Sequence, residues 1–341
     1  ADYTPPPGAT ETNYYRRMVS SGTCSAVYSN VVEIFVNPKP VAILSGGATI
    51  CPTETAILKV DLSSGTGPFE VEIANYGIES GYTSGADIFV SPPATTTYSL
   101  TRVTDANGCE VNAPSVSLMG NATVVVRDLP AITLQPADVV ICEFGMTEFE
   151  VTASGTDLSY QWYVDDGTGF TPLTDGGMYV GATSRKLSIF GALRSMDGNL
   201  YHVEVTGCSV TQTSADVQLT VNTNPEILSQ PDDITVCQGF DAGFKVDATG
   251  SGITYQWQVN TGSGFVDVVN NATHSGATLD SLTVMNAVPA MNGWIYRVIV
   301  LGICNSDAYS SFAVLNVTPE PQITTQPVSE EICEGLMASF L

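Results

Sequence analysis

Apolar and polar residues alternate along this chain in short runs, separated by turns rich in glycine, asparagine and aspartate. Leu58 and Val60, Phe149 and Val151, and Phe244 and Val246 each put two apolar side chains on one face of an extended segment. Tyr201, Val203 and Val205 repeat the pattern, as do Tyr296, Val298 and Val300. A period of two in β-branched and aromatic residues predicts half-buried strands. The stretch Tyr160-Gln161-Trp162-Tyr163-Val164 is one such strand, followed by the glycine-bearing turn Asp165-Asp166-Gly167-Thr168-Gly169-Phe170. Nothing reads as a long amphipathic helix, so the chain is expected to be all-β.

The strands recur as units. Tyr255-Gln256-Trp257-Gln258-Val259 and Asn260-Thr261-Gly262-Ser263-Gly264-Phe265 repeat the strand and turn, with Trp257 standing 95 positions after Trp162. Prolines 40, 130, 225 and 321 mark unit starts, with gaps of 90, 95 and 96 residues. A second proline follows at Pro136, Pro231 and Pro327, where a missing N–H suits an edge strand or a break between half-strands. Each unit then carries a first cysteine (Cys51, Cys142, Cys237, Cys333) and, after a tyrosine-led strand, a second (Cys24, Cys109, Cys208, Cys304). Twenty residues after the first cysteine, Trp162 and Trp257 are replaced by Val71, so that unit is divergent. Phe340 falls where Phe149 and Phe244 stand. The predicted division is a C-terminal part of one unit over 1–37, whole units over 38–128, 129–222 and 223–318, and the N-terminal part of a further unit over 319–341. Linkers of a few polar or proline residues give stiff connections, hence an extended rod.

Composition narrows the function. Eleven Lys+Arg against 35 Asp+Glu give a net charge of -24. This excludes a phosphate-binding footprint, and with it nucleic acid or an anionic lipid surface as partner. No apolar run approaches a membrane span, so no membrane insertion is expected. Residues 1–8 are proline-rich and lack the apolar segment of a signal peptide, and the chain reads as an excerpt of a longer polypeptide.

His202 alternates with inward Tyr201 and Val203 and should face solvent; His274 sits in the loop Asn270-Asn271-Ala272-Thr273-His274. Neither has a cysteine or histidine at metal-ligand spacing. There is no nucleophile elbow and no P-loop, so no enzyme is expected. Asp165-Asp166 and Asp232-Asp233 offer weak candidate calcium ligands, but the oxygen spacing of a dedicated loop is missing and no cofactor is expected. Asn121, Asn271 and Asn316 open sequons. Exposed loop aromatics such as Phe170, Phe265 and Tyr179 could grip polysaccharide.

The segment from Pro130 to Trp162 is similar to intermediate-set immunoglobulin domains, although Val151 and Val203 stand where the usual inter-sheet bridge would be. The resemblance implies tandem immunoglobulin-like β-sandwiches with Trp162, Trp257, Tyr201 and Tyr296 in the core, the tyrosines as corners whose phenols cap backbone. The pattern Val-x-Cys-x-Gly, Tyr-Gln-Trp, Gly-x-x-Tyr, Cys, together with Asn13 through Cys24, resembles repeats of very large Bacteroidota surface proteins. Gly65-Thr66-Gly67-Pro68-Phe69 and Val103-Thr104-Asp105-Ala106-Asn107-Gly108-Cys109 look like repeats of the gliding-motility adhesins. Asp280-Ser281-Leu282 resembles the O-glycosylation acceptor of that phylum, with Ser281 as the site. What this implies is a type IX-secreted stalk of a cell-surface adhesin or filament. Its partners would be its own neighbouring repeats and, beyond them, surface glycans or other cells. The alternative is a polysaccharide- or protein-binding array.

Eight cysteines in a repeating pattern without Cys-x-x-Cys read as structural disulfides of an oxidising, extracellular compartment. Two pairings stay open. The simple one is within units: Cys51–Cys109, Cys142–Cys208 and Cys237–Cys304. In an immunoglobulin-like sandwich, however, the two cysteines of a unit sit at opposite ends, roughly 25–30 Å apart at about 3.3 Å per strand residue. A disulfide needs Cα atoms within about 7 Å. Head-to-tail stacking therefore favours Cys51 with Cys208 and Cys142 with Cys304. Cys24, Cys109, Cys237 and Cys333 are then left for units absent or incomplete here.

Overall fold

A computed structural model describes residues 8–304 and 306–339, which leaves Phe340 outside the described residues. The chain forms two compact units. The first takes in the chain up to Leu134 together with Thr152–Tyr160 and Glu204–Ser214; the second takes in Gln135–Val151, Gln161–Val203 and the chain from Ala215 onward. The alternating segments are strands throughout, and the ordered helical pieces among the described residues are two short 3-10 turns. The protein is all-β, built of tandem immunoglobulin-like sandwiches.

In the first unit, one sheet runs Asp87–Val90, Ala56–Ser64, Val41–Gly46, Leu118–Met119. The other runs Ala48–Ile50, Asn121–Val126, Thr96–Thr104, Phe69–Ile73, Gly77–Tyr82, with Glu110–Asn112 added beside Thr96–Thr104. Leu44, Leu58, Val60, Val71, Ile73, Tyr98, Val103 and Val124 close the core between them. The first strand changes sheets at Gly46-Gly47. Both have positive φ, and a Cβ there would stand 2.5 Å from the Ile57 carbonyl and 2.6 Å from the Thr123 carbonyl. Only glycine fits such a crossover. The later repeats make the same switch with proline instead. Pro136 lies between Ala131–Leu134, paired antiparallel to Thr152–Ser154, and Val139–Cys142, paired parallel to Val217–Asn222.

The register revises the tryptophan position of the divergent unit. Tyr98 faces Ala122 as Tyr296 faces Ala313. Two residues on, Leu100 faces Ile73 where Val298 faces Trp257. Ile73, not Val71, therefore occupies the tryptophan's place. An irregularity between Leu100 and Arg102 and the different turn lengths hide this from simple counting.

In the second unit the same core is built twice. Phe149 packs 6.2 Å from Trp162 and 4.9 Å from Tyr201. Phe244 packs 6.2 Å from Trp257 and 4.8 Å from Tyr296. All six rings are buried. The indole N–H groups donate to the Ser184 and Leu279 carbonyls, so burial leaves no polar atom orphaned. The glutamine before each tryptophan has its own task. Gln161 Nε2 donates to the Trp162 and Leu173 carbonyls, and Gln256 Nε2 to those of Trp257 and Val268, tying the central strand to its neighbour past the turn.

Upstream of residue 38, Asn13–Tyr15 pairs with Val32–Ile34 and Met18–Val19 with Val27–Tyr28. After Thr318 the described residues form no strand.

Removing the indole of Trp257 deletes the largest core ring and leaves the Leu279 carbonyl unpaired. Trp257→Ala is expected to cost about 3–5 kcal/mol, and Gln256→Ala about 1–2 kcal/mol. Differential scanning calorimetry of the full chain checks this through the drop in one transition.

Candidate functional site

The motif residues converge on backbone, not on a cleft. Asp165 Oδ1 accepts from the Gly167 and Gly169 amides, as Asn260 Oδ1 does from Gly262 and Gly264. Asp166 Oδ1 accepts from the Thr168 amide and hydroxyl, and these bonds hold its carboxyl below the usual range. Asp233 Oδ1 accepts from the Val314 amide, as Asp138 does from Gln218. Asp165, Asp166 and Asp233, three of the carboxylates offered as calcium ligands, are thus engaged in closing turns and clamping strands, and among the described residues no metal-binding cluster forms. Ser281 is exposed on the strand Ser281–Val284, and its hydroxyl donates to Asp280.

The two adhesin-like motifs of the divergent repeat meet at Asp105. Its carboxylate is buried and accepts from the amides of Thr66, Asn107 and Cys109. Burial pushes this carboxyl up, but the amide bonds together outweigh it and leave it below its ordinary value. Gly65 packs against the same carboxylate, where a Cβ would come within 3.4 Å of it.

The histidines and Tyr179 depart from expectation. His202 does not stand free in solvent: its side chain is 12% exposed, covered by Phe170 at 4.1 Å and Tyr163 at 5.2 Å, and Nδ1 lies 3.1 Å from Asp216. His274 is not a loop residue. It lies in the strand His274–Ser275, is 6% exposed, and sets Nε2 3.0 Å from the Tyr296 hydroxyl. Tyr179, its counterpart, is half-buried with its hydroxyl 3.1 Å from that of Tyr201. The corner tyrosines therefore meet a side chain on the facing sheet rather than capping backbone. Burial, foremost, holds both phenols far above the ordinary tyrosine range.

Two disulfides cross the repeats. Cys51 is joined to Cys208 across 157 residues with Cα atoms 5.5 Å apart, and Cys142 to Cys304 across 162 residues with Cα atoms 5.8 Å apart. Each lies inside one compact unit. Cys24, Cys109, Cys237 and Cys333 are unbridged. Cys109 keeps the place of a bridged cysteine: its Sγ lies 3.8 Å from the linker carbonyl of Asn37, as Cys304 Sγ lies 3.7 Å from that of Asn222.

Aromatic rings gather on the outer sheet face at the same place in two repeats. In one, Phe170, His202 and Tyr163 pack together. In the next, Arg297 lies over Phe265 at 4.1 Å and Tyr309 at 5.2 Å, and Phe265 stacks on Phe312 at 5.1 Å. In the divergent repeat a shallow cleft of about 400 Å³ opens elsewhere, beside Tyr76, Phe89 and Pro92.

Comparison with known proteins agrees with this architecture. The chain is similar to an I-band fragment from titin, with a TM-score of 0.55 and 14% identity, over 83% of this chain and 100% of that one. It is similar to a mutated 3Ig structure of titin domains, with a TM-score of 0.54 and 13% identity, over 82% and 98%. At these identities the likeness is one of fold. A stretch of 124 residues is 35% identical to Endoglucanase C of Cellulomonas fimi, covering 35% of this chain and 10% of that enzyme. The chain thus spans about a tenth of that relative's length. Residues 1–38 match a family described as Domain of unknown function (DUF8696). Among the described residues no helix is long and apolar enough to cross a membrane.

His274 yields a pH prediction. Burial lowers its pKa in the folded chain, so the unfolded chain, near the ordinary 6.5, binds the proton more readily. The neutral-ring contribution is complete above about pH 6.5 and is lost as pH falls below it. Thermal melts between about pH 7.5 and 5 should show one transition moving down. His274→Tyr, which installs the residue found at 179, should remove that movement.

Proposed function

We propose that this chain is a structural stalk segment of a large extracellular bacterial surface protein, an adhesin or filament, whose repeats hold a distal binding region away from the cell. The observation that carries the reading is the pair of disulfides that skip from one repeat to the next. A bridge within a domain stabilises that domain; a bridge between domains restrains their connection. Closing loops of 157 and 162 residues removes chain entropy equivalent to about 5 kcal/mol each in the chain-entropy account. Such bridges belong to an oxidising compartment, hence secretion and the cell surface. The motif side chains spent on turns and clamps support a scaffold rather than an enzyme. The division into repeats over 38–128, 129–222 and 223–318, joined by short linkers, supports a tandem array. Cys109 and Cys237 are offered to cysteines of adjoining repeats, and Cys24 and Cys333 follow the same scheme. The motif likeness to Bacteroidota surface repeats and gliding-motility adhesins favours type IX export, with Ser281 as an O-glycan acceptor.

A second reading, a glycan-binding array, is favoured by one observation: the aromatic clusters that recur on the outer face of two repeats. The name of Endoglucanase C gives that enzyme a glucan substrate. The shared stretch is a small part of it, and no catalysis is carried over.

Peptide mapping of the non-reduced chain tests the stalk reading. Cross-linked peptides joining Cys51 to Cys208 and Cys142 to Cys304 are expected. A native Cys142–Cys208 bridge, or free thiols throughout, would overturn it.

A further inference from the structure

Arg297 occupies a setting unlike that of its counterpart. Its strand, Trp294–Leu301, runs beside Thr254–Asn260, with Arg297 opposite Gln258 as part of an outward row. The guanidinium faces are taken up by Phe265 and Tyr309. Its Nε donates to Gln258 Oε1 at 2.8 Å, and Gln258 in turn donates to Asp267 at 2.8 Å. The Nη edge has no partner, and among the described residues no carboxylate forms an ion pair with Arg297. In the preceding repeat the same position is His202, whose Nδ1 lies 3.1 Å from the Asp216 carboxylate. Where that repeat has Asp216, this one has Phe312, which is 58% exposed and stacked on Phe265. The exchange of acid for ring takes the neighbouring carboxylate away and adds an apolar platform beside the cation.

We propose that this face of the 223–318 repeat binds a carboxylated saccharide, a uronate unit of an acidic polysaccharide. The proposal rests on the glycan-binding reading and names its substrate class. A guanidinium packed against two rings, with Nε engaged and its Nη groups unpaired among the described residues, presents the fork that pairs bidentately with a carboxylate. The exposed faces of Phe312 and of Tyr309, itself 54% exposed, offer apolar surface to the C–H face of a sugar ring beside that carboxylate. The chain's net charge of -24 does not cancel this attraction at contact. At physiological salt, charges more than about 8 Å away are screened, and the adjacent acid, Asp267, is engaged by Gln258.

The test is isothermal titration of the full chain with trigalacturonate and, separately, with its neutral methyl ester. The native chain is expected to bind the acid and to bind the ester at least tenfold more weakly. Phe312→Asp restores the acid that the preceding repeat carries, so the fold tolerates the pair; it is expected to abolish binding. Arg297→Lys keeps the charge but not the fork, and is expected to weaken binding several-fold. Val180→Ala, at an exposed position of the other repeat outside both aromatic clusters, should leave affinity unchanged. Equal affinity for acid and ester, or binding that survives Phe312→Asp, overturns the carboxylate proposal while leaving a glycan-binding array standing. Absence of binding to either ligand up to about 10 mM overturns both.

Discussion

Each later sandwich depends on an indole that is buried yet not stranded. Trp162 and Trp257 fill the space between sheets, and both hydrogen bonds from Nε1 reach carbonyls of the facing layer. That bond links the two sheets at the point where apolar packing is densest. A phenylalanine of one sheet and a tyrosine of the other complete the cluster at ring distances that agree within 0.1 Å between the repeats, 4.9 and 4.8 Å. The strands around it are short, and among the described residues four of them hold only two residues. Without the central ring such strands would bury too little surface to stay paired.

Around this constant core the repeats vary in how they solve the same local problem. The break in the first strand is a glycine pair in one repeat and a proline in the others. The partner of the corner tyrosine is Tyr179 in one and His274 in another. The outer face carries a histidine beside a carboxylate in one and an arginine beside aromatic rings in the next. Backbone demands are kept, while the exposed chemistry drifts, as is usual where sites are grafted on a common scaffold.

The strands and the core were legible because alternation and the paired Tyr-Gln-Trp motifs report burial directly. Phe149, Val151, Tyr201 and Val203 could be assigned to the core from spacing alone. His274 could not: the strand His274–Ser275 is too short for a period of two, and its burial follows from pairing with Val284 and Thr283. His202 was placed on the correct face but not beneath Phe170, since a ring folding back from a turn leaves no trace in spacing. Ile73 was missed because an irregular register breaks the count. Arg297 and Phe312 stand out only beside His202 and Asp216, their counterparts one repeat earlier, where the exchange of acid for ring is visible in the sequence.

The parallel pairing near the ends of each sandwich has a mechanical consequence. Val139 through Cys142 lie alongside Leu219 through Asn222, and Ile234 through Cys237 alongside Leu315 through Thr318. The first member of each pair lies near the start of its repeat and the second near its finish. Because the two run in the same direction, tension applied to the chain slides one past the other. All the ladder bonds between them are then strained together, in shear. An antiparallel closure would open like a zipper, one bond at a time. Cys142, at the end of its ladder, is also anchored to Cys304, so part of that tension bypasses the hydrogen bonds through a covalent link.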